Sequence, residues 1–74
     1  MEQRTIAFIG ADNMARSIIA GLIQSGYPAS LLTAVNRTPE KSAAFRDSFG
    51  INANEDAIAS AKQADVVVLG VKPQ

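Results

Sequence analysis

Cysteine, histidine and tryptophan are all missing from this 74-residue sequence. Without cysteine there is no disulfide and no thiolate metal site, and without histidine the commonest remaining zinc ligand is gone as well. Zinc chemistry and nucleophilic catalysis of the Ser-His-Asp or Cys-His kind are thereby excluded. Net charge is absent too: seven acidic side chains balance seven basic ones, so there is no overall field to draw in nucleic acid or an anionic membrane, and neither is expected as a partner. No run approaches the roughly 18 apolar residues that a membrane span needs. Met1-Glu2-Gln3-Arg4 leads into a short strand rather than the apolar core of a signal peptide, which makes the cytoplasm the expected compartment. Internal repeats, low-complexity tracts and Pro/Gly/Ser-rich linkers are lacking, so a single unit is expected, near the lower size limit of a self-supporting core.

What is present is an ordinary apolar content, 47% of residues, arranged in alternating periods. Thr5 to Ile9 is a short apolar run that stops at Gly10 and suits a strand buried on both faces. From Met14 the apolar residues Met14, Ala15, Ile18, Ile19, Leu22 and Ile23 recur every three to four positions, which predicts an amphipathic helix closed by Gly26 and Pro28. Leu32 to Val35 is a second strand. Thr38 as N-cap and Pro39 at the first helical position open a second helix, which Gly50 ends. Ile51 to Ala53 reads as a brief third strand. Asn54 is the expected cap of a third, Ala-rich helix, with Glu55 and Asp56 at the positive end of its dipole. Val66 to Leu69, apolar at every position, has the character of an interior strand. This β-α-β-α-β-α-β order predicts an α/β fold with a parallel sheet and right-handed crossovers.

Three segments fall where such a sheet binds ligands, beyond the carboxyl ends of its strands. Gly10-Ala11-Asp12-Asn13-Met14-Ala15 joins the first strand to the first helix, where a G-x-G-x-x-G/A turn would lay pyrophosphate on the helix N-terminus. Gly10 and Ala15 fit that pattern and Asp12 does not. Its side chain narrows the approach and its carboxylate adds negative charge, and the competing reading makes Asp12 a helix cap that satisfies the amides itself. Asn36-Arg37-Thr38 follows the second strand, at the position of an adenine ribose. An acidic residue there would hold a 2′-hydroxyl and favour NAD, whereas Arg37 with amide and hydroxyl neighbours suits the 2′-phosphate of NADP, unless it is a solvated side chain beside a helix cap. Lys72 follows the last strand on the same edge, or is simply a surface charge. Asp65 has no partner nameable from sequence and is expected to be solvated.

Phe8-Ile9-Gly10, Asn13-Met14-Ala15, Ile18-Ile19, Gly21-Leu22, Asn36-Arg37-Thr38-Pro39, Phe49-Gly50-Ile51 and Ala64-Asp65-Val66-Val67 through Val71-Lys72-Pro73-Gln74 together resemble the N-terminal region of the pyrroline-5-carboxylate reductases. The resemblance spans essentially the whole chain, and its specific parts are Gly-x-x-Asn-Met-Ala and Val-Lys-Pro-Gln. It implies the first half of a Rossmann-type domain, about four parallel strands with helices on both faces. It also implies a cytoplasmic role in proline biosynthesis, the reduction of 1-pyrroline-5-carboxylate to proline with NADPH or NADH. By position it puts Ile9, Gly10, Ala11, Asp12, Asn13 and Met14 at the pyrophosphate. Asn36, Arg37 and Thr38 would lie at the adenosine phosphate, and Gly70, Val71, Lys72 and Pro73 near the nicotinamide ribose. No catalytic side chain is implied in this region, because the cofactor itself carries the hydride.

Three departures from the family stand out. Asp12 replaces the second motif glycine, Ala57 stands where an Asn near the adenosine is common, and the helical domain that makes the dimer and most of the substrate site is expected to be absent, leaving residues 1–74 as a cofactor-binding portion inactive alone. A non-catalytic remnant acting as an interaction module, or the cofactor domain of a related β-hydroxyacid or coenzyme-F420-type reductase, are the alternatives. The expected strand order 3-2-1-4 leaves Val66 to Leu69 on the outside of the sheet, which predicts a homodimer through that edge.

Overall fold

The computed structural model describes residues 4–70. Its elements are β1 (Ile6–Ile9), α1 (Asn13–Gln24), a 3-10 turn (Ala29–Leu31), β2 (Leu32–Val35), α2 (Pro39–Phe49), β3 (Asn52–Asn54), α3 (Ala57–Gln63) and β4 (Val66–Leu69). All strand pairs are parallel and the order is β3-β2-β1-β4. The chain therefore winds outwards from β1 through β2 to β3, then crosses back to the other side of β1. Right-handed crossovers put α1 and α2 on one face of the sheet, and the reversed β3-α3-β4 connection carries α3 to the opposite face.

Register explains which side chains make the core. Phe8 pairs with Ala34 on one side and Val68 on the other, and Ile6 with Leu32 and Val66. Phe8, Leu32 and Ala34 pack with Ala15 and Ile19 of α1 and Phe45 of α2. Phe8, Ile19 and Leu32 are the largest fully buried side chains, each worth about 1.5–3 kcal/mol of burial. Ala7 and Phe8, adjacent in β1 and on opposite faces, are both 1% exposed, as a strand covered on both sides requires. The apolar stripe of α1 is only partly used: Ala15 and Ile19 are buried, while Met14 and Ile18 are exposed. No described helix is long and apolar enough to cross a membrane.

Several local expectations are corrected. β3 runs one residue later than its apolar pattern suggested, because Ile51 turns into the core while Asn52, Ala53 and Asn54 pair with β2. Asn54 consequently ends a strand and does not cap α3. The cap is Asp56, whose Oδ1 accepts the Ala59 N–H at 3.0 Å, and Asn54 Oδ1 instead accepts the Asp56 N–H and the Ser60 hydroxyl. Thr38 holds the cap position of α2, but its side chain makes no capping bond. Asp65 is exposed just after α3, as expected, but it also has a partner: its Oδ2 accepts both the backbone N–H and the hydroxyl of Thr5, each at 3.2 Å. That contact pins the start of β4 to the start of β1.

Candidate functional site

The site grows from the switch point of the sheet, where the chain leaves β1 towards β2 on one side and β4 arrives on the other. Gly10 ends β1 with φ of 73°, a backbone conformation that side chains disfavour. The N–H groups of Gly10 and Ala11 both donate to the Val35 carbonyl, at 3.0 and 3.1 Å, and the Gly70 N–H donates to the Ile9 carbonyl at 2.7 Å. The ends of β2, β1 and β4 are thus laced together. A Cβ on Gly10 would lie 3.1 Å from the Gly70 carbonyl oxygen, and one on Gly70 would overlap the Gly10 carbonyl oxygen. Two glycines are needed here because two backbones touch.

Beyond this contact α1 begins. Asp12 is its N-cap, and its Oδ1 accepts the N–H of Met14 at 3.1 Å and of Ala15 at 3.3 Å. The capping reading of Asp12 is the one the structure adopts. Asn36 acts as a bracket between loops: its Nδ2 donates to the Ala11 carbonyl at 2.7 Å, its Oδ1 accepts the Thr38 N–H at 3.3 Å, and its own N–H donates to the Asn54 carbonyl. The buried Ser42 hydroxyl bonds the carbonyls of Asn36 and Asn54. The glycine turn, the β2-α2 loop and the end of β3 are fixed relative to one another by these polar contacts.

Together these loops surround a cleft of about 840 Å³ lined by Gly10, Ala11, Asp12, Asn13, Asn36, Arg37, Thr38 and Gly70. Eight residues singled out by sequence therefore share one concavity at the carboxyl edge of the sheet. Ile9 and Met14 face elsewhere. They line a smaller apolar cleft of about 100 Å³ with Ile18, Val68 and Leu69, which shares Gly10, Asp12 and Gly70 with the first. Val71, Lys72 and Pro73 lie outside the described residues. Ala57 sits apart from the main cleft, on a shallow depression with Asn54, Glu55, Asp56 and Ile58.

The structure adds two cations to the main cleft that sequence reasoning missed, Arg16 and Lys41, together with Ala44 and Phe45. Arg16 lies one helical turn after Asp12, and Lys41 lies four residues after Arg37. That spacing was the available signal. The Arg16 guanidinium is stacked over the Phe45 ring, 4.9 Å from its centroid, and 5.6 Å from that of Phe49. Among the described residues none of Arg16, Arg37 and Lys41 is in a salt bridge. Among the described residues Asp12 is the sole carboxylate lining the cleft. A chain of zero net charge thus gathers three cations around one concavity, which makes it suited to an anionic ligand.

Comparison with known proteins agrees with this geometry. A family described as "NADP oxidoreductase coenzyme F420-dependent" matches residues 5–74. A pyrroline-5-carboxylate reductase of Vibrio alginolyticus is 49% identical over 74 residues, all of this chain and 27% of that protein. The pyrroline-5-carboxylate reductase of Haemophilus influenzae is 45% identical over the same span and share. The solved structure of a pyrroline-5-carboxylate reductase from Coxiella burnetii superposes with a TM-score of 0.89 at 42% identity, covering 97% of this chain and 27% of that one. The family description carries the coenzyme-F420 wording of one alternative, whereas these relatives carry the pyrroline name. The chain spans about a quarter of their length. It belongs to the NADP oxidoreductase family whose description it matches, with a Rossmann-like parallel sheet, and is similar over its whole length to part of the pyrroline-5-carboxylate reductases.

Proposed function

We propose that residues 1–74 are the dinucleotide-binding N-terminal portion of a pyrroline-5-carboxylate reductase, with NADP preferred over NAD. The observation that carries this is the cleft at the switch point, where Gly10 and Gly70 let two backbones meet and three cations, in no salt bridge among the described residues, line the rim near the α1 and α2 N-termini. In open α/β sheets such a crevice is where ligands bind. The residues fit a nicotinamide dinucleotide in part: small residues at 10 and 11 leave room for pyrophosphate, and Arg37 with Lys41 can meet a 2′-phosphate by charge-assisted hydrogen bonds. Ile9 and Met14, on the apolar side of the glycine turn, would flank the pyrophosphate, and Gly70, Val71, Lys72 and Pro73 would border the nicotinamide ribose.

When bound, the cofactor would supply the hydride for reduction of a cyclic imine. This chain's own residues bind and orient: Asn36 and Thr38 hold the loop that presents Arg37, and the sheet edge fixes the turn. Dimerisation and most substrate contacts are assigned to a further, helical domain, which leaves the 74 residues without turnover alone. The test is the purified chain with pyrroline-5-carboxylate and NADPH, alongside a dinucleotide titration. Cofactor binding without pyrroline-dependent oxidation is the expected pair of results, and robust oxidation by the 74 residues would overturn the division of labour.

One observation favours a second reading. Because Asp12 already occupies the α1 amides, a chain that keeps the fold but does not hold dinucleotide, serving as an interaction module, is the rival. Absence of binding by both NADP(H) and NAD(H) in that titration would select it.

A further inference from the structure

Arg16 is not assigned by the motif reading, and its surroundings are unusual for an exposed arginine. It projects from α1 over two rings of α2, Phe45 and Phe49, which are themselves 6.1 Å apart and tilted by 41°. Phe45 is buried in the core, so the platform under the guanidinium is rigid. A guanidinium lying on an aromatic face has one side covered, while its N–H groups, which point outwards in its own plane, stay available. The one carboxylate among the described residues lining the cleft, Asp12, is turned to the helix amides. Arg37 from the β2-α2 loop and Lys41 from the first turn of α2 line the cleft on one side and Arg16 from α1 on the other. An anion in the cleft would therefore meet cations from two helices and the loop between β2 and α2.

We propose that Arg16 is a specificity-determining residue that reads the phosphomonoester of an adenosine 2′-phosphate from the α1 side of the cleft. This rests on the dinucleotide reading of the cleft and adds to it a second wall: Arg37 approaches from the β2-α2 loop and Lys41 from α2, and Arg16 closes from α1. The aromatic platform supplies what a free surface arginine lacks. Contact with two rings restricts rotamer freedom that would otherwise be lost on binding. A phosphomonoester carries close to two negative charges at neutral pH, so a third cation adds to selection against the 2′-hydroxyl form. The rival role is a packing strut that only joins α1 to α2.

Adenosine 2′,5′-bisphosphate and 5′-AMP separate these roles, because they differ only in the 2′-phosphate and carry neither pyrophosphate nor nicotinamide. The variants are Arg16→Met, which keeps a long apolar stem on the rings, and Arg16→Lys, which keeps charge without the plane. Phe49→Leu loosens the platform while leaving the buried Phe45 in place. Binding is read by calorimetry and folding by thermal melting. The 74-residue chain is expected to prefer the bisphosphate. Arg16→Met should lose about tenfold in affinity for it, the loss of one charge-assisted contact, with AMP affinity within about twofold of the original. Arg16→Lys and Phe49→Leu should fall between. Three results would overturn the inference. A wild-type chain that binds both ligands equally removes it and leaves the cofactor cleft intact. An Arg16→Met that weakens both ligands alike, or lowers the melting point without touching selectivity, makes Arg16 a strut. Binding of neither ligand removes the cleft reading and this inference together.

Discussion

The Asp12 carboxylate accepts the Met14 N–H at 3.1 Å, and the same oxygen takes the Ala15 N–H, so α1 carries its own anion at the end where a dinucleotide-binding turn receives phosphate. A fixed charge a few ångströms from a phosphate costs on the order of 1–4 kcal/mol between bulk-water and protein-surface dielectrics. Asp12→Gly should therefore tighten NADPH binding by tenfold or more. The variant should lose only a few tenths of a kcal/mol in stability, because glycine is tolerated at an N-cap, whereas Asp12→Ala should lose roughly 0.5–2 kcal/mol. Calorimetric titration with parallel melts checks both, and equal affinities for wild type and Asp12→Gly would mean that the carboxylate does not oppose the cofactor.

Arg37 is exposed at the mouth of the cleft, and the loop that carries it is held by the Asn36 and Thr38 contact. Arg37→Ala is expected to lower NADPH affinity by about tenfold while sparing NADH, since only the former offers a 2′-phosphate. Competition between the two cofactors on wild type and variant measures this. A variant that still discriminates as before would make Arg37 a surface charge.

Gly70→Ala tests the switch-point contact. Its new methyl group would overlap the Gly10 carbonyl oxygen, so β1 and β4 must separate or the turn must shift. Destabilisation of about 1–3 kcal/mol, typical of overpacking, is expected, together with weaker dinucleotide binding. Chemical denaturation gives the first quantity, and an unchanged midpoint would show that the turn yields at no cost.

The outer strand gives a prediction about assembly. Among the described residues β4 pairs with β1 alone, and Val66, Val67 and Leu69 are 39%, 39% and 66% exposed. An apolar strand with one open edge is a template for pairing with a second copy. Sedimentation at micromolar concentration should show a dimer that Val67→Lys disperses, and a monomeric wild type or a dimer indifferent to the lysine would remove the edge as its basis.

The elements were legible wherever a period and its punctuation agreed. TIAFI before Gly10, the three-to-four spacing from Met14, and Thr38-Pro39 opening a helix that Gly50 ends all stand close to where the residues put them. The failures share a cause. The apolar residues predict β3 over residues 51–53, but Ile51 goes to the core and Asn52, Ala53 and Asn54 carry the pairing, because β2 supplies the register. Asn54 and Asp56 are both good caps in isolation, and the strand claims the first. Asp65 found Thr5, sixty residues earlier in the chain, through a pairing of β1 with β4 that no local pattern encodes.

The sequence by itself determined the alternation of strands and helices, the parallel sheet with its reversed fourth strand, and the segments lying at its carboxyl edge. The alternation and the parallel pairing follow from periodicity, turn residues and the handedness of crossovers, which are local or generic, whereas the reversed fourth strand was an expectation of the Rossmann-type resemblance. Only the tertiary structure decided that Asp12 bonds its own helix, that Gly10 and Gly70 must both be small, and that Arg16 and Lys41 face the same cleft as Arg37. Each of these depends on which backbone or side chain from a distant segment comes within a few ångströms. That distance is set by how α1 and α2 pack over β1 and β2, through Ile19, Phe45, Phe8 and Leu32.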